Sequence, residues 1–240
     1  MALRTTLRET ARHCLHRLGV LEPLRVLRHG TVRRGVGETL QDRFTHIYDA
    51  GIWKTAPTDP LSGAGSHPDI ARRLGARLPA LVRDLGAGHF LDVGCGDFGW
   101  MKDVELGCAY TGVDIVPHVV AQNAERFGRE DRRFLLLNAV EDPLPAADIV
   151  LCREVLFHLS FADARALLRN VCRSGAGWLL ATTDSVTRFN ADIESGDFRI
   201  LNLAAAPFGF PEPLQRLADD GLVDGRTVGV WSIASLPPWD

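Results

Sequence analysis

One short stretch limits the folds open to this chain more than any other. Residues 90–100 read FLDVGCGDFGW, an apolar strand running straight into Gly94-x-Gly96-x-x-Gly99, with Asp92 two residues before the first glycine. Glycines at that spacing let backbone N–H groups approach a ligand with no Cβ in the way. The pattern then alternates. Strands are predicted at 89–93, 109–114, 133–138, 147–152 and 177–183, with helices at 98–106, 117–127, 154–157 and 162–173. Apolar strands alternating with helices build a parallel sheet covered on both faces, and ligands on such sheets sit outside the carboxyl ends of the strands.

The flanks are different. Leu3, Leu7, Leu15, Leu18, Leu21, Leu24 and Leu27 recur at helical steps, residues 1–36 hold eight arginines, and Pro23 is expected to split the segment into two short helices. Such a basic helix pair would pack on the domain as an accessory, or serve as a lid or a homodimer contact. Residues 43–69 hold aromatics and then a loop dense in Pro, Gly, Ser and Thr, and long irregular stretches in compact domains are usually functional. A helix is predicted at 70–85, stopped by Gly86. After 188–214, irregular and rich in Pro and Phe, a helix is expected at 213–220, then two strands from GLVDGRTVGVWSIASL.

Composition narrows the function classes. A net charge of −3 gives no support for a nucleic-acid surface. No apolar run approaches the ~20 residues of a membrane span. The basic N-terminus lacks the hydrophobic core of a secretory signal; its acid-poor character also fits an organelle transit peptide. Against that stands the near-absence of lysine (Lys54 and Lys102 only), which points to a GC-rich bacterial genome. Five cysteines without a C-x-x-C pair or zinc-like spacing suggest a reducing cytoplasm and no disulfide framework; no metal site is expected, the alternative being a divalent ion where Asp184, Glu154 and His158 could converge.

The glycine loop alone does not identify its ligand. Asp114 ends the second strand twenty residues after Gly94, where an acid binds ribose hydroxyls in either nucleotide-binding class. Asp92 separates the classes. A carboxylate is awkward beside a pyrophosphate, whereas it suits an ammonium. The chain also leaves no room for the second, substrate domain of a dehydrogenase.

Four segments taken together, LDVGCGDFG, YTGVDIVP, NAVEDPLP and ADIVLCREVLFHLS, resemble in order the motifs of class I S-adenosylmethionine (SAM)-dependent methyltransferases. With FTHIYDAGIW and SGAGS upstream and NLAAAPFGFPEPL downstream, the pattern is similar to a little-characterised bacterial small-molecule branch. The resemblance implies an α/β, Rossmann-like seven-stranded sheet, mostly parallel with an antiparallel last strand and helices on both faces. It implies SAM as methyl donor and S-adenosylhomocysteine (SAH) as product. Asp92, Gly94, Cys95 and Gly96 would line its methionine part, Asp114 would grip the ribose, and Ile115 would cover the adenine. Asn138 and Ala139 would meet the adenine edge, with Arg153 near the amino-acid end. Many relatives have Asp at the position of Asn138; the amide carbonyl still accepts a hydrogen bond, without charge assistance.

Chemistry on an alcohol needs a general base more than chemistry on an amine does. Glu154 and His158 are four apart, so a helix there would set a carboxylate beside an imidazole; the alternative is a helix-start acid and a half-buried histidine. His46, Tyr48 and Trp53 are read as a lid or as core packing, and Asp184 as facing the cleft. Phe208 and Phe210 belong to an apolar acceptor-side wall, or to a loop sealing the sheet edge. Residues 1–69 are thus expected to form N-terminal helices and a lid, and 70–240 the SAM-binding domain, with an acceptor-side insertion at about 186–214. The leading expectation is methylation of a small-molecule hydroxyl, on a sugar or natural product. The alternatives are N-methylation of a small amine, an NAD-dependent oxidoreductase and a non-catalytic SAM-binding module.

Overall fold

The computed structural model describes residues 11, 14–15, 17–29, 35–223 and 225–239. Leu3 and Leu7 lie outside them, as do the arginines at 4, 8, 12, 33 and 34. In chain order come α1 (Leu21–His29), α2 (Leu40–Asp49), α3 (Pro68–Asp84), β1 (His89–Val93), β2 (Ala109–Asp114), α4 (Pro117–Phe127), β3 (Arg132–Leu136), β4 (Ile149–Cys152), α5 (Phe161–Arg173), β5 (Trp178–Asp184), β6 (Gln215–Ala218) and β7 (Arg226–Ser232). Single 3₁₀ turns cover Ala64–Ser66, Leu156–His158 and Ile233–Ser235.

The seven strands form one sheet in the order β3-β2-β1-β4-β5-β7-β6. Strands β1 to β5 pair in parallel, while β7 is antiparallel to both of its neighbours. The last strand therefore runs against all the others, as expected. All four residues of β4 are buried, because both faces are covered. Its side chains alternate between two cores: Val150 and Cys152 pack with α5, and Ile149 and Leu151 pack with α3.

Local chemistry explains where the helices begin and end. Thr39 and Asp42 form a reciprocal capping box at the start of α2. Pro68 and Pro117 open α3 and α4, where a missing N–H costs nothing. Ser160 caps α5 through the Asp163 N–H, 3.1 Å away. From α2, Phe44, Ile47 and Tyr48 join the same core as the sheet.

Several expected elements differ. Residues 98–106 turn instead of coiling: the Asp97 carboxylate takes the Gly99 N–H at 3.1 Å, and Phe98 has φ +60°. The predicted helix at 213–220 is strand β6, since pairing with β7 overrides a weak four-residue pattern. The C-terminal stretch consequently supplies one strand, not two. Leu18 and Gly19 (φ +69°) form a turn just before α1, and Pro23 sits in its first turn, where it is tolerated. After β4 the chain makes a 3₁₀ turn at Leu156–His158 in place of a helix at 154–157.

Candidate active site

A cavity of about 930 Å³, mouth included, lies over the carboxyl ends of β1, β2 and β4. The segment after each of those strands, and the one after β3, lines it: Asp92–Gly96, Val113–Val116, Leu137–Val140 and Arg153–Val155. Phe44 and Tyr48 of α2, with Trp53, Ser62 and Ser66 of the following loop, wall the opposite side.

The glycine loop is fastened from two directions. Both Gly94 and Cys95 donate their N–H to the Val113 carbonyl, at 2.8 and 3.1 Å. Gly96 donates to Asp114 Oδ2 at 3.0 Å, while its own carbonyl accepts from Asn123 Nδ2 at 2.7 Å. Gly94 has φ +71°, and a Cβ there would lie 2.5 Å from Val155 Cγ2, so only glycine fits. The Cys95 side chain turns away into the core beside Gly112 and Asn123, and burial pushes its thiol well above the ordinary range. Cys95 therefore offers backbone to the cavity, not a reactive sulfur. Gly99, the third glycine, does not line the cavity, and no helix starts behind the loop. A pyrophosphate would miss the helix N-terminus on which dinucleotide folds rely.

Asp114 serves the loop and the next helix at once: Oδ1 accepts the Val116 N–H at 3.0 Å, opposite the Gly96 bond on Oδ2. Each carboxylate oxygen has a second lone pair, so hydroxyl donors from a ligand still find acceptors. Asp92 accepts from the Tyr110 hydroxyl at 2.8 Å. Burial raises its pKa to about 7, against the lowering influence of Tyr110 and Arg153. A cation placed against it would restore the carboxylate.

Arg153 lies beside this group. Asp219 takes its Nε and Nη2 in a fork at 2.9 and 2.8 Å, and the Gly65 carbonyl takes Nη2 at 2.9 Å. Its guanidinium also stacks 4.9 Å over Trp100. Most of its hydrogen-bonding capacity thus holds the protein together, and only Nη1 lacks a protein partner among the described residues. At Asn138 the side-chain oxygen accepts from the Val140 N–H at 3.1 Å, closing an Asx turn. Asn170 of α5 fixes the same turn by donating to the carbonyls of Ala139 (3.0 Å) and Val140 (3.1 Å).

At the other end of the cavity, His158 stacks on Trp53, with ring centroids 4.5 Å apart and planes 26° apart. Its Nδ1 lies 2.8 Å from the Asp197 carbonyl. A carbonyl only accepts, so in the neutral ring Nδ1 carries the proton and Nε2 the lone pair. Glu154 lines the cavity without pairing to His158. It adopts φ +57°, and its Oε1 binds Arg226 Nη1 at 3.0 Å. The expected dyad fails because the four-residue spacing needs a helix, and the chain here makes a strained residue and one 3₁₀ turn.

Four expected residues stand away from the cavity. His46 is two positions from both Phe44 and Tyr48 on α2, so it points off the face they share. Asp184 is 2% exposed at the end of β5, where it accepts the Val186 N–H at 2.9 Å and faces Arg226 in register. Phe208 packs edge-on against Phe161, and Phe210 against Trp231 and Trp239. The Pro/Phe segment belongs to the core under β7 and α5, not to an acceptor wall. Sequence reading missed Ser62, Ser66, Trp100, Leu159 and Leu167 in the lining, and Tyr110, Asp219 and Arg226 behind it. It also missed Phe44, which the helical spacing to Tyr48, four residues on, places on the same face.

No group of three or more His, Cys, Asp or Glu among the described residues is arranged to hold a metal ion. No helix among them is long and apolar enough to cross a membrane.

Residues 91–174 match the family model described as a methyltransferase domain. No curated protein matches the sequence. Among solved structures, human N-acetylserotonin methyltransferase in complex with SAM aligns with a TM-score of 0.58 at 17% identity, covering 87% of this chain and 64% of that one. The chain thus spans less than two thirds of that relative. The mitomycin 7-O-methyltransferase MmcR aligns at 0.54 and 18%, over 72% of this chain and 55% of its own. The N-methyltransferase NodS from Bradyrhizobium japonicum WM9 aligns at 0.51 and 14%, over 71% and 98%. At these identities the structures speak for the fold. The family match is thus to a methyltransferase domain over residues 91–174, and the solved structures show that the chain shares their fold.

Proposed function

We propose that this chain transfers a methyl group from SAM to a hydroxyl oxygen of a small-molecule acceptor, a sugar or natural product. The observation that carries the reading is the gathering of Asp92, the Gly94–Gly96 backbone, Asp114 and Asn138 along one side of a cavity whose other end holds His158. The residues fit the donor. Gly94 and Gly96 leave a cradle that a Cβ would fill. Asp92 suits the ammonium, Asp114 the ribose hydroxyls, and Ile115 and Ala139 the adenine faces. With its oxygen in the Asx turn, Asn138 offers Nδ2 to a ring nitrogen, and Arg153 offers Nη1 near the amino-acid end.

Bound SAM supplies an electrophilic methyl group and leaves as SAH. His158 takes the acceptor proton at Nε2, since Asp197 holds the proton on Nδ1. The Trp53 face favours the imidazolium that results. Apolar groups from α2 and α5, Leu40, Phe44 and Leu167, keep water from the cavity and strengthen each charge inside it. A second reading, methylation of a small amine, draws on the Glu154 carboxylate, which would bind an ammonium.

Calorimetry with SAM, SAH and NAD, followed by transfer of a labelled methyl group to panels of alcohols and amines, tests the proposal. SAM and SAH binding with label on an alcohol is the expected outcome. Binding of NAD alone would overturn it. SAM binding with no transfer to any acceptor would leave a binding module.

A further inference from the structure

One carboxylate of the cavity has no task in methylating an alcohol. Glu154 lines the cavity with its backbone in the left-handed region at φ +57°, and its N–H donates to Thr182 Oγ1 at 2.9 Å. That conformation is unfavourable for a residue with a side chain, and such residues gather at functional sites. Arg226 Nη1 reaches Oε1 at 3.0 Å, which is the carboxylate's one hydrogen bond among the described residues. Oε2 lies over the bare Cα of Gly65, where a Cβ would come within 1.7 Å of it. The Glu154 side chain stays 15% exposed, while that of Arg226 behind it is 4% exposed. The acid is fixed from the protein side and left half-satisfied toward the cavity.

The surrounding charges favour a cation beside it. Asp92, Asp114 and Glu154 line the cavity against a single guanidinium, that of Arg153. Both guanidinia near Glu154 already have another acid: Asp219 forks Arg153, and Asp184 faces Arg226 in register. Asp92 and Asp114 belong to the donor in the assignment above, so Glu154 is left for the acceptor. Away from bulk water, a carboxylate with a free oxygen binds an ammonium more strongly than a neutral hydroxyl. His158 stands four residues on, a stretch of chain that spans at most about 14 Å. The His158 N–H closes a turn on the Val155 carbonyl at 2.9 Å, which shortens that span. One small molecule can touch both side chains.

An ammonium held on Glu154 has no lone pair, so it cannot be the atom that is methylated. Resting on the alcohol reading above, we propose that the acceptor is an amino alcohol, most simply an amino sugar: Glu154 anchors its protonated amine while a hydroxyl of the same molecule meets His158. Glu154 is then a specificity residue and not a base. The hydroxyl oxygen bonds the methyl carbon as the carbon–sulfur bond breaks, the bonding pair leaves on the sulfur of SAH, and the hydroxyl proton passes to His158 Nε2. The ammonium keeps its hydrogens throughout. Alcohol and amine become two groups of one acceptor, with separate tasks.

The test uses the full chain saturated with SAH. Calorimetry compares glucosamine, galactosamine and mannosamine, each beside its N-acetyl form, which keeps the hydroxyls and loses the charge. The amines are expected to bind about tenfold more tightly than their N-acetyl forms. With SAM in place of SAH, labelled methyl is expected on oxygen, the nitrogen staying unmethylated. Glu154→Gln should lower amine affinity about tenfold, while the N-acetyl forms and SAM stay within about threefold. A melting curve shows whether that variant folds; if it does not, the preference of the parent chain decides the matter alone. Amines binding no better than their N-acetyl forms would overturn the anchor and leave the alcohol reading standing, as would a preference that survives in folded Glu154→Gln. Methyl on nitrogen would overturn the alcohol reading and the anchor with it. Failure of the parent chain to bind SAM or SAH would instead overturn the donor assignment beneath both.

Discussion

The Arg153–Asp219 pair offers a sharp energetic test, because it joins three stretches far apart in sequence. Asp219 directly follows β6, Arg153 directly follows β4, and the Gly65 carbonyl closes the triangle from the N-terminal loop. The two side chains are 3% and 0% exposed. Burial raises the Asp219 carboxyl above its ordinary range even with Arg153 against it. At Arg153 the balance is the reverse: against the desolvation, the Glu154, Asp219 and Asp92 carboxylates raise the guanidinium further and hold it charged. Asp219→Leu would leave a guanidinium buried without its counter-ion, a change that costs about 3–5 kcal/mol. At roughly 2–4 °C per kcal/mol for a chain of this size, Tm should fall by about 6–20 °C.

Arg153→Met combined with Asp219→Leu removes both charges and keeps most of the volume. Since the pair's net value is small, the double variant should recover to within about 1–2 kcal/mol of the parent, despite the orphaned Gly65 carbonyl. Urea unfolding followed by tryptophan fluorescence gives all four corners of the cycle. The reasoning is refuted if Asp219→Leu costs less than about 1 kcal/mol, or if the double variant is no better than the single.

The remaining expectations concern the cavity. His158→Ala should cut turnover by roughly 10²-fold or more while SAM affinity stays within about threefold; unchanged turnover in a labelled-methyl assay removes it as the base. Asp92 has a folded pKa of about 7, raised by burial, so its contribution to the stability of the ligand-free protein is lost as pH climbs from the ordinary carboxylate range through 7. Asp92→Asn should flatten that decline, which runs at up to ~1.4 kcal/mol per pH unit. Parent and variant melting curves between pH 5 and 8 check it; parallel curves refute it. SAM affinity should rise through pH 7 in the parent and not in Asp92→Asn, as calorimetry at each pH would show. Gly65→Ala places a Cβ 1.7 Å from Glu154 Oε2, so it should displace the carboxylate from Arg226, lower stability by about 1–3 kcal/mol, and be partly rescued by adding Glu154→Ala. An unaltered unfolding curve for Gly65→Ala would refute that contact.

What was legible in this sequence is whatever a few consecutive residues decide. The strand, the glycines and the acid at Asp114 are local, because backbone approach and strand ends are set by neighbours in the chain. Asp92, Gly94, Cys95, Gly96, Asp114, Ile115, Asn138, Ala139 and Arg153 all line one cavity. Assignments that presumed a regular helix or a remote partner failed. Glu154 and His158 needed one helical turn between them, and the left-handed conformation at Glu154 breaks it. The carboxylate of this residue binds Arg226, a residue of β7, the antiparallel strand beside β5. The same late strand turns an expected helix into β6, carries Asp219 to Arg153, and seats Phe210 under Trp231. Its pattern is visible in the sequence, yet its partners on β5 are more than forty residues away, and no spacing rule reaches them. The side of the cavity proposed for the donor is therefore written in motifs, whereas the side proposed for the acceptor is written in topology. Chains that share the first need not share the second, so acceptor chemistry is to be sought in the residues that β7, the 51–66 loop and α2 bring to His158.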